Sequence, residues 1–141
     1  MNEEKTVIAD ADILISLYFP DDVNNQRVRK LVDTLVNASF VVKYPNTAIL
    51  EGITSLKRSL NKPEIAGLIN QKLLAGEFNI IYVDESIQKM ASEIFAREKS
   101  KKNTIFDAIV LATAKSLKAK AVFSFDSWYK KKKYKMVEDL F

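Results

Sequence analysis

Four short apolar runs alternate along this chain with longer segments of helical periodicity, and that alternation restricts the fold more than any other feature. Thr6–Ala9 (TVIA), Ser39–Val42 (SFVV), Asn79–Val83 (NIIYV) and Ala121–Phe125 (AVFSF) are rich in β-branched and aromatic residues and too brief for helices, so each reads as a strand. Between them, Asp12 fits the N-cap of a short helix stopped at Pro20. Asp21–Asp22 open a helix to about Asn37, with an apolar stripe through Val23, Val28, Leu31, Val32, Leu35 and Val36. Thr47–Leu60 carries Ile49, Ile53, Leu56 and Leu60 on one face, and Pro63–Leu74 ends at Gly76. Asp84 caps a helix to about Lys99, and Thr104–Leu117 is the last helix. Lys135–Val137 reads as a short fifth strand. Strands alternating with helices predict an α/β fold, a mostly parallel sheet covered on both faces, in one domain over residues 1–141.

What the chain lacks narrows its chemistry. It has no cysteine and no histidine. Thiol nucleophiles, disulfides, a Ser-His-Asp triad and His-based acid–base catalysis are all excluded, and zinc loses its usual ligands. Any catalysis falls to carboxylates and lysines, and carboxylate with water suits Mg²⁺ or Mn²⁺. No apolar run approaches the length of a membrane span, and the start, MNEEKTV, is acidic, unlike a signal peptide. The expectation is a cytoplasmic protein without membrane contact. The net charge of +4 is unevenly spread: residues 97–135 hold twelve Lys/Arg against three Asp/Glu. A concentration of this kind serves an anionic partner such as nucleic acid, or simply a solvated lysine surface.

Four acidic positions stand out, each with a structural alternative. Asp10 ends a strand and precedes Asp12, where a helix cap is the ordinary reading. Glu51 lies mid-helix, where solvation is ordinary, beside a Gly52 that costs ~1 kcal/mol relative to alanine and hints at a close approach to another backbone. Asp107 completes a capping-box pattern with Thr104, yet sits in the apolar run IFDAIVLA, where burial without a cation is costly. Asp126 follows Ser124 in SFDSWYK, a turn cap or one side of a metal cradle. Strand ends and helix starts share one edge of a parallel sheet, which gathers Asp10, Asp107 and Asp126 but does not by itself place Glu51 there.

The ordered set VIADADIL, TAILEGITSLKR, TIFDAIVLATAKSL and VFSFD, spanning about residues 6–126, resembles the PIN-domain ribonucleases, especially the VapC-type toxins of toxin–antitoxin pairs. The resemblance implies a three-layer α/β/α sandwich of four to five strands in the order 3-2-1-4-5. It also implies a Mg²⁺- or Mn²⁺-dependent endonuclease for single-stranded RNA. Asp10, Glu51, Asp107 and Asp126 map to the family's acidic quartet of metal ligands, and Ser124 to its small hydroxyl. Asp12 replaces the Asn, Ser or Thr of many members and is a supporting carboxylate. Arg58, Lys99, Lys101, Lys102 and Lys130 to Lys133 are candidates for RNA backbone contacts, with Trp128 and Tyr129 either stacking bases or lidding the last strand. An antitoxin and a second copy of the chain are the implied partners. A PIN nuclease of RNA processing, a catalytically silent RNA-binding PIN domain, a phosphatase of the haloacid dehalogenase type and a receiver-type signalling domain are rival readings. The phosphatase motif wants Thr or Val where Leu14 stands.

Overall fold

The computed structural model describes residues 3–141. Along the chain run β1 (Lys5–Ala9), α1 (Ala11–Tyr18), α2 (Asn25–Asn37), β2 (Phe40–Pro45), α3 (Asn46–Arg58), α4 (Pro63–Leu74), β3 (Ile80–Ile81), α5 (Glu85–Ala96), α6 (Ile105–Leu117), β4 (Ala121–Phe123) and α7 (Trp128–Lys131). Val7, Ile8 and Ala9 of β1 are wholly inaccessible. A strand buried on both faces is apolar at successive positions rather than alternate ones, which is why its run is continuous.

β1 pairs with β2 on one side (Val7 opposite Val42) and with β4 on the other (Ile8 opposite Val122). β3 adds to β2 through Tyr44 and Pro45. All pairings are parallel, and the order is β3-β2-β1-β4. The expected fifth strand is reduced to a single parallel bridge between Val122 and Met136, because the chain turns at once into a 3-10 turn, Val137–Asp139.

Successive residues of β1 point to opposite faces and divide the core. Val7, Ala9, Ala121 and Phe123 pack with Leu14, Leu35, Ile49, Leu56 and Ile69, from α1 to α4. Ile8 and Val122 pack with Val110, Leu111 and Ala114 of α6 and with Trp128, Tyr129 and Met136. α5 covers the far side of α6 through Ile87, Ala91, Ala108 and Ala112. Ala108–Ala114 is therefore buried on every side, and the sandwich has the three layers implied.

Helix boundaries depart from expectation where a polar side chain caps a turn instead. α2 starts at Asn25, because Asp22 Oδ2 accepts the Asn24 N–H at 2.9 Å and closes a turn before it. Val23, outside the helix, is 94% exposed and does not belong to the apolar stripe; Val36 is exposed as well. α5 stops at Ala96, short of Lys99, where Glu98 turns back on the N–H groups of Lys99 and Ser100. α3 ends at Arg58, leaving Leu60 beyond it. Gly76 at φ 72° closes α4 as expected. Among the described residues no helix is long and apolar enough to cross a membrane.

Candidate metal centre

All four strands end at one edge, and the segments leaving that edge carry the acidic residues. Asp10 is the first residue beyond β1. Its N–H extends the sheet to the Phe123 carbonyl at 3.0 Å, and its Oδ1 accepts the Ala11 N–H at 2.7 Å. Asp10, not Asp12, is thus the N-cap of α1. Asp12 lies in the first turn and reaches across to the exit of β4: its Oδ2 accepts the Phe125 N–H at 2.8 Å and the Ser124 hydroxyl at 3.0 Å. This capture accounts for a strand that stops at Phe123, since the Phe125 amide is engaged by Asp12 instead of a ladder.

Glu51 projects from the second turn of α3, directly after β2. Gly52 beside it is a point of close approach, but to a side chain rather than a backbone: a Cβ there would lie 2.9 Å from Leu14 Cδ2 of α1. Asp107 opens α6 in a capping box, its Oδ2 accepting the Thr104 N–H at 3.0 Å. Asp126 accepts the Trp128 N–H at 2.9 Å on Oδ1, and its own N–H donates to the Ser124 hydroxyl at 3.0 Å. Ser124 therefore ties the Asp126 backbone to Asp12, with Asp10 Oδ2 3.4 Å away.

Asp10, Asp12, Glu51, Asp107 and Asp126 line one cavity of about 470 Å³, with Lys102 the cation on its wall. Crowding and burial disfavour their ionised forms. Burial, then Asp12 and Asp107, raises the Asp10 carboxyl well above its usual range, although the Tyr129 hydroxyl opposes this. Burial also raises Asp12, against the donors Phe125 N–H and Ser124, and raises Asp107, against Thr104 N–H and Asn103. Glu51 is pushed up to about 7, by burial first and then by Asp107 and Asp12.

Two further side chains hold the acids in place. The Tyr129 hydroxyl donates to Asp10 Oδ2 at 2.7 Å from a fully buried ring. The Asn103 amide donates to both Asp107 Oδ2 (3.2 Å) and Asp126 Oδ2 (3.0 Å), joining the helix start to the strand exit. Neither is marked in the sequence as a partner of the acids: Asn103 sits in a polar loop, and Tyr129 reads as a base-stacking or lid aromatic.

The donor set fits a hard divalent cation. It is all oxygen, and Asp12 Oδ1 is buried with no hydrogen-bond partner, an oxygen whose desolvation nothing in the protein offsets. As the side chains stand, no three acidic groups among the described residues converge into a ready chelate. Mg²⁺ needs no such cage, since it keeps several waters and takes one or two carboxylates.

The basic candidates divide. Lys102 reaches the acidic cavity, and Lys102 and Lys131 border a second recess next to it. Lys130 is paired with Asp139 at 3.2 Å and Lys132 with Glu98 at 2.6 Å. Lys99, Lys101, Lys133 and Arg58 are exposed, and none of them lines the acidic cavity. Trp128 and Tyr129 are buried against Ile8, Leu111 and Val122, so the lid reading holds and base stacking by these two rings does not.

The PIN domain family matches residues 7–133 of the chain. Solved structures with the same fold include the sarcin–ricin loop cleaving toxin VapC20 of Mycobacterium tuberculosis. It is 16% identical, with a TM-score of 0.77 over 91% of this chain and 95% of that one. FitAcB of Neisseria gonorrhoeae aligns at 21% identity and a TM-score of 0.61, over 86% of this chain and 88% of its own. A toxin–antitoxin complex of Klebsiella pneumoniae aligns at 18% identity and 0.56, over 86% and 87%. No curated protein sequence matches the chain significantly.

Proposed function

The chain belongs to the PIN domain family, and from that premise we propose that it is a Mg²⁺- or Mn²⁺-dependent endoribonuclease that cuts single-stranded RNA. The observation that carries this reading is the convergence of five carboxylates from four segments on one cavity, beside a lysine-rich loop. Asp10, Glu51, Asp107 and Asp126 are the proposed ligands, with Asp12 supporting them. A bound cation would lower the pKa of its water and offset charge developing on the scissile phosphate.

The protein's own part is positioning. Ala11 N–H and Tyr129 fix Asp10, Asn103 and Thr104 N–H fix Asp107, and Ser124 with Phe125 N–H fixes Asp12. With no histidine or cysteine in the chain, proton exchange in this cavity falls to carboxylates, of which Glu51 is pushed up to about 7 by burial. Lys102 sets a positive charge at the rim, where an anionic strand would approach. The toxin–antitoxin character of the structural relatives supports a toxin role with an antitoxin partner, and a homodimer is proposed on the family resemblance alone.

The test is cleavage of end-labelled single-stranded RNA by the purified chain in Mg²⁺, Mn²⁺ or EDTA, beside Asp10→Asn and Asp107→Asn. Cutting should require the metal and fall by about a hundredfold or more in both variants, the loss expected when charge-stabilising groups are removed. Wild-type activity in both variants would show that the carboxylates do not carry it.

A further inference from the structure

Beside the acidic cavity lies a smaller recess of about 240 Å³, and Asp126 and Lys102 belong to the walls of both. Its outer rim is formed by Lys131, Ser127 and Lys132. Glu98 sits at its base, yet that carboxylate is already engaged. Oε1 accepts the N–H groups of Lys99 (3.1 Å) and Ser100 (3.0 Å), while Oε2 accepts the Trp128 indole N–H (3.0 Å) and the Lys132 ammonium (2.6 Å). These donors hold its carboxyl down at about 2, with the Lys132 hydrogen bond the largest cause.

The effect of that cluster is to fold the loop after α5 against α7, which brings Lys102 and Lys131 to one opening. Among the described residues, neither lysine has a carboxylate within ion-pairing distance. The neighbouring lysines are committed, Lys130 to Asp139 and Lys132 to Glu98. Trp128 also lines the recess, but it is buried, its indole N–H is spent on Glu98, and the Lys132 ammonium lies 5.6 Å from its ring centroid, which leaves little aromatic surface for a base. The recess is also smaller than the ~300 Å³ at which ligand pockets usually begin, so it suits a phosphate better than a base.

We propose that this recess, through Lys102, Lys131 and the Ser127 hydroxyl, holds a backbone phosphate of the RNA strand next to the one presented to the carboxylates. The assignment rests on the proposed nuclease reading for its ligand, and it gives that reading a polarity. The strand crosses from the acidic cavity over Asp126 toward α7, and the cationic side of the protein binds the backbone rather than the bases.

The experiment reads binding, not cleavage, so it stands apart from the nuclease test. Full-length Asp107→Asn protein in Mg²⁺ is titrated into a short fluorescein-labelled single-stranded RNA, and anisotropy is followed between about 50 and 200 mM salt. Lys102→Gln/Lys131→Gln is compared with Lys118→Gln/Lys120→Gln, which removes two exposed lysines at the opposite edge of the sheet. In the first pair affinity should fall about tenfold and the salt slope by about 0.7, the value for one phosphate contact on a single strand. The second pair should keep both. Equal losses in the two pairs would reduce the effect to diffuse attraction and overturn the proposal, as would a loss of affinity with an unchanged salt slope. An oligoglutamate bound with the same dependence on Lys102 and Lys131 would assign the recess to an acidic protein segment and overturn it too.

Discussion

Asp10 and Tyr129 are a buried pair whose balance depends on the charge of one partner. With the Tyr129 hydroxyl donating at 2.7 Å, the ionised Asp10 keeps a donor on each oxygen. Tyr129→Phe preserves the ring and removes that donor, leaving a buried acceptor unsatisfied at a cost of about 1–3 kcal/mol. Because the hydroxyl pulls the Asp10 carboxyl down, its loss weighs on the ionised form and is relieved when Asp10 is protonated. Urea unfolding in EDTA should show a larger deficit at about pH 8 than at about pH 5. Equal deficits would mean that the hydroxyl contributes packing alone. At this scale the sequence is readable in part. Asp10, Asp107 and Asp126 stand where elements begin or end, and that position is local information. Glu51 is separable from a solvated glutamate only through the family resemblance, because its helix stripe is otherwise ordinary. Tyr129 and Asn103 act across 119 and 23 residues, and no spacing rule describes a contact made by tertiary folding.

The helices show where local pattern is sufficient and where it fails. α4 and α6 match expectation within a residue, since proline, glycine and a capping box mark their ends. α2, β4 and the first turn of α1 do not, because Asp22 and Asp12 bind backbone groups that the pattern assigns to helix or strand, and Asp10 takes the cap. Two glycines make the contrast measurable. A Cβ added at Gly67 in α4 would meet nothing within 4 Å, so Gly67→Ala should stabilise by up to about 1 kcal/mol through helix propensity. Gly52 in α3 faces Leu14 in the closed core, so Gly52→Val should destabilise by about 1–3 kcal/mol through overpacking. It should also weaken Mn²⁺ binding, since α3 carries Glu51 on the adjacent residue. Denaturation midpoints with calorimetric Mn²⁺ titration check both. A Gly52→Val chain as stable as the wild type would mean that α1 and α3 separate without cost.

Over the whole molecule, the alternating pattern announces a parallel sheet, and the order β3-β2-β1-β4 agrees with the family resemblance. The site makes that fold sensitive to pH. Glu51 binds its proton up to about pH 7, against 4.5 for the free side chain, and Asp10, Asp12 and Asp107 are raised in the same direction. The folded state thus holds more protons than the unfolded one across that window, and stability falls as pH rises through it. Glu98, shifted down, acts with the opposite sign, but at lower pH. In EDTA the melting temperature should be higher at about pH 5 than at about pH 8, and Mn²⁺ should raise it most at the higher pH, where the carboxylates are free to bind. A melting temperature that climbs with pH in EDTA, or ignores Mn²⁺, would contradict the linkage. The sheet's central strand has one more consequence, and it concerns time. Asp10 directly follows β1, yet it meets the Phe123 carbonyl and the Tyr129 hydroxyl only after more than a hundred further residues have been joined. A growing chain therefore carries its first carboxylate long before the groups that set it. For an enzyme proposed to cut RNA, the carboxylate site would stay unassembled until the segment after β4 has been made.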